Sequence, residues 1–115
     1  MATPAYARDL GVSLHSPQDA LNALSCGEPG CIFELSDLHE AFFDLKNGLA
    51  GEVFQKFTNY RFRAAFVVPE PERMGPRVVE LCRDHERHPF VRLFSTKEAA
   101  QQWLGRLQQS DQEQQ

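Results

Sequence analysis

The chain predicts a small α/β domain: a four-stranded, mostly parallel sheet with alternating helices. Three observations carry this. Short apolar runs alternate with stretches of helical period along the chain. The most apolar run, 62–68 (FRAAFVV), has the composition of a central strand covered on both faces. A length of 115 residues leaves room for one core and not two. The expected domain covers 1–108, and 109–115 (QSDQEQQ) reads as a polar tail that is frayed or disordered. Hydrophobic content of 42%, with nine phenylalanines, argues against disorder over the rest.

Residues 10–14 (LGVSL) alternate apolar and small side chains and read as the first strand. Three helix-start signals follow together: a capping hydroxyl at Ser16, Pro17 where a missing N–H costs nothing, and Asp19 in the positive first turn. Ala20, Leu21 and Leu24 form the buried stripe of this helix, and Gly27, Pro29 and Gly30 end it. Residues 31–35 (CIFEL) are the second strand. A long helical period comes next, in which Leu45, Leu49, Val53, Phe57 and Tyr60 recur every three or four residues. The third strand is 62–68. Residues 69–76 (PEPERMGP), with three prolines and a glycine, predict a surface loop. Val78, Leu81, Cys82 and His85 mark a third helix, and 90–94 (FVRLF) a fourth strand. The last helix opens with Glu98 three residues after the hydroxyl of Ser95, and its stripe is Ala100, Trp103, Leu104 and Leu107. Strands alternating with helices imply right-handed crossovers between parallel strands.

Charge and cysteine usage narrow the partners. A net charge of −4 gives no electrostatic support to nucleic acid or an anionic membrane. No apolar run approaches the roughly 20 residues that a membrane span needs. The opening MATPAYARDLG lacks the apolar stretch of a secretion signal, and three cysteines without one read as reduced thiols of the cytoplasm.

Residues 42–63 are the most patterned part of the chain. Asn47-Gly48 suits a tight helix start with the Asn47 side chain accepting a backbone N–H. Gly48 and Gly51 each cost a helix about 1 kcal/mol relative to Ala. Something therefore lies close to the backbone there, either a neighbouring strand (the favoured reading) or a bound ligand or partner chain. Lys46, Glu52 and Lys56 fall on the polar face, with Glu52 and Lys56 in the favourable i,i+4 order. The candidate binding surface is Asp44, Lys46, Asn47, Gly48, Gly51, Glu52, Lys56, Asn59 and Arg61. A solvated helix face explains the charged pair equally well.

Three other constellations have simpler explanations. Lys56, Arg61 and Arg63 interleave with Phe57, Tyr60 and Phe62 as a base-stacking surface would, but the aromatics fall on the buried stripe and the third strand. Cys82, His85 and His88 stand three apart on the third helix, short of the four convergent ligands of a zinc site. They read as a core thiol and histidines facing the helix's negative end. Cys26 and Cys31 flank a turn and could meet in a disulfide under oxidising conditions, but the expected form is a pair of buried thiols. Consecutive Phe42 and Phe43 after the polar run 36–40 suggest an exposed aromatic able to seed a homodimer. No nucleophile, base and stabilising group can be named together, and there is no P-loop or dinucleotide fingerprint. No catalytic residue, cofactor or metal is expected.

The segment FFDLKNGLAGEVFQKFTNYRFRAA resembles a bacterial family of unknown function, domain of unknown function 4180. Its pattern is close to FFDL-x-[ST]-GLAGE-[IV]-x-QKF-x-NYR-x-[RK]-x-A, and the likeness extends with falling clarity from about residue 10 to 107. That family is similar in layout to anti-anti-sigma (STAS) domains, which implies a STAS-like fold. In those domains a hydroxyl just before the glycine of a strand-to-helix turn is a phosphorylation switch, and the surface around it binds a kinase or sensor. Asp44 and Gly48 stand where the turn's Asp and Gly would, but Asn47 replaces the hydroxyl and one extra residue intervenes. The switch is therefore not implied. After the third strand the family often continues with Gly-Asp and a Ser/Lys-rich loop, where this chain has Pro69-Glu70-Pro71-Glu72. The expected function is a non-enzymatic protein-interaction or regulatory module, its partner an unidentified protein or a second copy. The alternative is a small-molecule or anion sensor that binds at the Asn47-Gly48 helix start.

Overall fold

The computed structural model describes residues 5–24, 30–38, 42–44 and 48–113. Three four-residue strands form the body of a parallel sheet: β2 (Cys31–Glu34), β3 (Ala64–Val67) and β4 (Val91–Phe94), with Phe33 beside Phe66 and Phe66 beside Leu93. At one edge β1 (Ala5–Tyr6) pairs parallel with β2 over two residues. The helices are α1 (Asp19–Ala23), α2 (Leu49–Asn59), α3 (Pro71–Met74), α4 (Pro76–Asp84) and α5 (Lys97–Glu113).

Strand order across the sheet equals chain order. When successive parallel strands always step the same way, right-handed crossovers put every connecting helix on one face. The packing obeys this. On one face Ala20 and Ala23 of α1, Val53, Phe54 and Phe57 of α2 and Val78 of α4 cluster with Phe33, Phe66 and Leu93. The other face is covered by α5, whose Ala100, Trp103 and Leu104 pack on Ile32, Ala65 and Val67. Every residue of β3 is buried, as a central strand covered on both sides requires. Thr96 caps α5 by accepting the Ala99 N–H at 3.1 Å, one residue later than the expected Ser95 cap.

Four expectations are corrected. Residues 10–14 are not a strand. A 3₁₀ turn, Ala7–Leu10, leads to Gly11 in the left-handed region, and only Leu14 bridges, to Leu38. The two-fold alternation is present, but among the described residues the segment finds its one β-bridge in the chain after β2. Of the two aromatics expected to expose a ring, Phe42 is wholly buried against Phe66 and Phe54, while Phe43 is half-buried. The proline-rich loop contains α3, with Pro71 in its first turn, where a missing N–H breaks nothing. Helix α4 ends at Asp84, so Cys82, His85 and His88 do not share a helix. Cys26 and Leu45 lie outside the described residues.

Candidate functional site

The helical period of α2 buries Ala50, Val53, Phe54 and Phe57, and the opposite face is left to polar side chains. On that outer face Glu52, Gln55, Lys56 and Asn59 line a shallow groove of about 330 Å³ together with Pro17, which precedes α1. Gln55 donates to Asn59 Oδ1 at 2.9 Å, one turn apart. The expected Glu52–Lys56 pair does not form: the ion pairs among the described residues are Arg8–Glu34 and Arg73–Glu70.

The C-terminal end of α2 is a Schellman turn. Phe62 N–H donates to Phe57 O at 2.9 Å and Arg61 N–H to Thr58 O at 3.1 Å, while the Phe57 and Phe62 ring centroids lie 5.4 Å apart. The residue at the pivot of such a turn is left-handed and most often glycine. Here it is Arg61, at φ 54, the only non-glycine with positive φ among the described residues. Tyr60 sits at the cap with 58% of its surface exposed, not in the buried stripe. The helix closes one residue too early for it to point inward.

At the carboxyl end of the sheet a second cleft opens between the turn after β2 and the elbow joining α3 to α4. Its volume is about 360 Å³, and its lining includes Phe43, Asp44, Met74 and Arg77. Close by in the chain, β2 ends in a reciprocal cap: Glu34 N–H donates to Asp37 Oδ2 at 2.8 Å, and the Glu34 side chain accepts from the Asp37 backbone. Asp37 is the buried acid of the described residues, and burial pushes its carboxyl above the ordinary range. Arg8 Nη1 stands 3.5 Å from Glu34 Oε1.

The histidines have structural work to do. His88 Nδ1 accepts the N–H groups of Phe90 and Val91, both at 3.0 Å, and so fixes the start of β4. His85 Nδ1 lies 2.9 Å from Leu81 O, and the two rings are 5.2 Å apart. Among the described residues no group of three His, Cys, Asp or Glu side chains is placed to hold a metal. Burial lowers the His88 pKa, with the neighbouring His85 and Arg92 charges adding to it. The neutral form, with its proton on Nε2, is the one that folds. A group depressed in this way contributes stability that is complete above its unfolded pKa, near 6.5, and is lost as pH falls below it. Thermal melts should therefore show Tm level above about pH 6.5 and falling under it. His88→Ala should lower Tm at neutral pH and flatten that acid-side slope.

The predicted surface is thus divided. Glu52, Lys56 and Asn59 share the α2 groove, Arg61 stands at the end of the same helix, and Asp44 belongs to the other cleft. Lys46 and Asn47 lie outside the described residues. Gly48 is the N-cap, left-handed at φ 72, and no side chain caps the helix. A Cβ at Gly48 or at Gly51 would meet nothing within 4 Å, so the favoured reading of a strand packed on these glycines is wrong. Gly48 serves the turn, and Gly51 faces open space. The close approach belongs to Gly30, where a Cβ would lie 2.2 Å from Arg63 O. Tyr60, Met74 and Arg77 were missed. Breaking the helical period after Asn59 would have moved Tyr60 to the surface.

No helix among the described residues is long and apolar enough to cross a membrane. Comparison with curated proteins and with solved structures returns no match. The family model described as "Domain of unknown function (DUF4180)" matches residues 7–104, most of the chain and all four strands but the first. The chain belongs to the DUF4180 family.

Proposed function

We propose that the chain is a non-enzymatic interaction module whose contact surface is the outer face of α2, continued by Asn59, Tyr60 and Arg61. The observation behind this reading is the left-handed Arg61. Backbone outliers persist where the surroundings hold them, and they gather at functional sites. A long cationic side chain occupies a position suited to glycine, next to a tyrosine left 58% exposed. Tyr and Arg are the residue types that carry most interface energy. The cations Lys56 and Arg61 join neither ion pair of the described residues, which favours a partner surface of acidic character. The proposal keeps the finer expectations of the resemblance: a STAS-like layout, a bacterial cytoplasmic setting and no catalytic step.

Arg61→Gly separates strain from recognition. Relief of the left-handed strain is worth roughly 1–2 kcal/mol, and the extra freedom of glycine in the unfolded chain takes back about 0.5–1 kcal/mol. Urea denaturation should show a net gain of about 0.5–1 kcal/mol. The same variant, and Tyr60→Ala, should lose partners that the wild type captures, read by quantitative mass spectrometry of affinity eluates. Identical partner sets for all three proteins would overturn the surface.

A further inference from the structure

The two edges of the sheet differ. β1 is two residues long, and the Gln101 side chain of α5 reaches across to the Tyr6 hydroxyl beside it. β4, at the other edge, is a four-residue strand with β3 on one side and, among the described residues, no strand on the other. We propose that β4 pairs antiparallel with the β4 of a second copy of this chain, about a two-fold axis at Leu93, so that the two sheets join edge to edge.

Backbone alternation decides which groups this edge offers. Phe90 O and Phe94 O accept the Ala64 and Val68 N–H groups at 2.8 and 2.7 Å, so alternate residues of β4 turn their polar groups to β3. Val91, Leu93 and Ser95 turn theirs outward. Of these, the Val91 N–H is taken by His88 Nδ1 at 3.0 Å. The Val91 carbonyl, both groups of Leu93 and the Ser95 N–H are left. About a two-fold axis at Leu93 they satisfy one another. Leu93 exchanges both bonds with its counterpart, and each Ser95 N–H donates to the facing Val91 carbonyl. The bond missing from a full ladder is the one whose donor His88 already holds. Natural edges are guarded by proline, a bulge or an outward charge. β4 instead keeps unbroken register with β3 from Val91 to Phe94, and its charge is turned back on the fold. Arg92 Nε donates to His88 O at 2.7 Å, and the guanidinium lies 5.0 Å from the centre of the Trp103 ring.

Charge selects a second copy as the occupant. Beside the edge, on the face that carries α4, Cys82, Arg83, Glu86 and Leu93 line a shallow groove of about 280 Å³. Arg83 and Glu86 are exposed and join neither ion pair of the described residues. The helix of a parallel crossover runs back against the strands, so Glu86 lies toward the start of β4 and Arg83 toward its end. A two-fold axis sets the end of one strand against the start of the other. It therefore sets Arg83 against Glu86 of the second copy, and the reciprocal pair follows by symmetry. The surface is complementary to itself in charge as well as in hydrogen bonds. It shares no residue with the α2 surface proposed above.

Sedimentation equilibrium of the full chain should show a monomer–dimer equilibrium with a Kd of about 10–300 μM, the range of a small interface held by backbone bonds. Arg83→Glu sets acid against acid across the axis, and Glu86→Arg sets cation against cation. Each should raise Kd at least about tenfold, and the double swap Arg83→Glu/Glu86→Arg should bring it back to within about threefold of wild type. Both positions are exposed, so circular dichroism should be the same for all of these proteins. The register has its own signature. In a mixture of isotope-labelled and unlabelled chains, the Arg92 and Phe94 Hα protons should give an intermolecular NOE, because a two-fold axis at Leu93 brings them face to face. Tyr60→Ala should dimerise as the wild type does. The proposal is overturned if the chain stays monomeric at about 1 mM, if the dimer ignores the single reversals or is not restored by the swap, or if the dimer lacks that NOE. Loss of the dimer in Tyr60→Ala would also overturn it, by moving the contact to α2.

Discussion

Gly30→Ala is expected to remove about 3 kcal/mol or more of stability, enough to abolish a cooperative transition if the wild type sits low in the usual range of 5–15 kcal/mol. Gly30 holds φ 139, a conformation that L side chains rarely adopt, immediately before β2. The added Cβ would sit 2.2 Å from Arg63 O and 3.1 Å from the Arg63 carbonyl carbon. That same oxygen accepts the Cys31 N–H at 3.1 Å, the first link between β2 and β3. Backbone strain and the clash therefore add, and neither is relieved by a side-chain rotation. Moving the Arg63 carbonyl aside would break the link that sets the register of the central strand pair. Gly51→Ala is the internal control. Gly51 is exposed, and its added Cβ meets nothing, so α2 should gain about 0.5–1 kcal/mol of helix propensity. Urea titration of the two variants should move the midpoints in opposite directions. A Gly30→Ala midpoint equal to wild type would refute the close approach.

The contrast between these two glycines shows what was legible in the sequence and what was not. Period and composition located β2, β3, β4, α2, α4 and α5, because strands with all faces covered and helices with one apolar stripe leave strong one-dimensional patterns. The three-residue capping signal at the start of α1 was real, but its chemistry differs from expectation: Asp19 reaches back to accept the His15 and Ser16 N–H groups at 2.9 and 3.1 Å. What a glycine is for depends on which backbone passes near it, and that is a long-range fact. Arg63 is 33 positions from Gly30 and invisible from the local sequence. The same holds for the site. Asp44, Glu52, Lys56, Asn59 and Arg61 were chosen as one surface because they are close in the chain, but an 11-residue helix that returns the chain from the end of β2 to the start of the parallel β3 carries its two ends to opposite ends of the strands. Met74 and Arg77 were hidden for the complementary reason. A proline-rich stretch reads only as a loop, and its role as a cleft wall comes from lying next to the turn after β2. Tyr60 was misread by extending a helical period one step past a Schellman turn that arginine, not glycine, completes.

Phe66→Ala should cost about 3–5 kcal/mol, an effect comparable with Gly30→Ala but reached through packing and not backbone. Phe66 lies in the central strand with no exposed surface, and its ring is 5.0 Å from Phe33, 5.1 Å from Phe54, 5.8 Å from Phe42 and 6.3 Å from Phe57. These neighbours come from β2, the turn after it and α2, so one truncation loosens three segments. A cavity among four aromatic rings relaxes poorly, because each ring is braced by others: Phe57 by Phe62, and Phe42 by Phe43. Phe66→Leu keeps most of the volume and should lose only about 1–1.5 kcal/mol. The aromatic cluster also joins the carboxyl-end cleft to the turn at the end of α2 through the interior. Phe43 lines the carboxyl-end cleft and packs on Phe42, while Phe57 and Phe62 form the turn that holds Arg61. A cavity at Phe66 should therefore broaden the methyl signal of Met74 and weaken capture through Tyr60 before global unfolding. Tyr60→Ala, at a position 58% exposed, should change stability by no more than about 0.5 kcal/mol and leave the Met74 signal unchanged. Equal effects of the two variants on the Met74 signal would show that the cluster does not couple the surfaces.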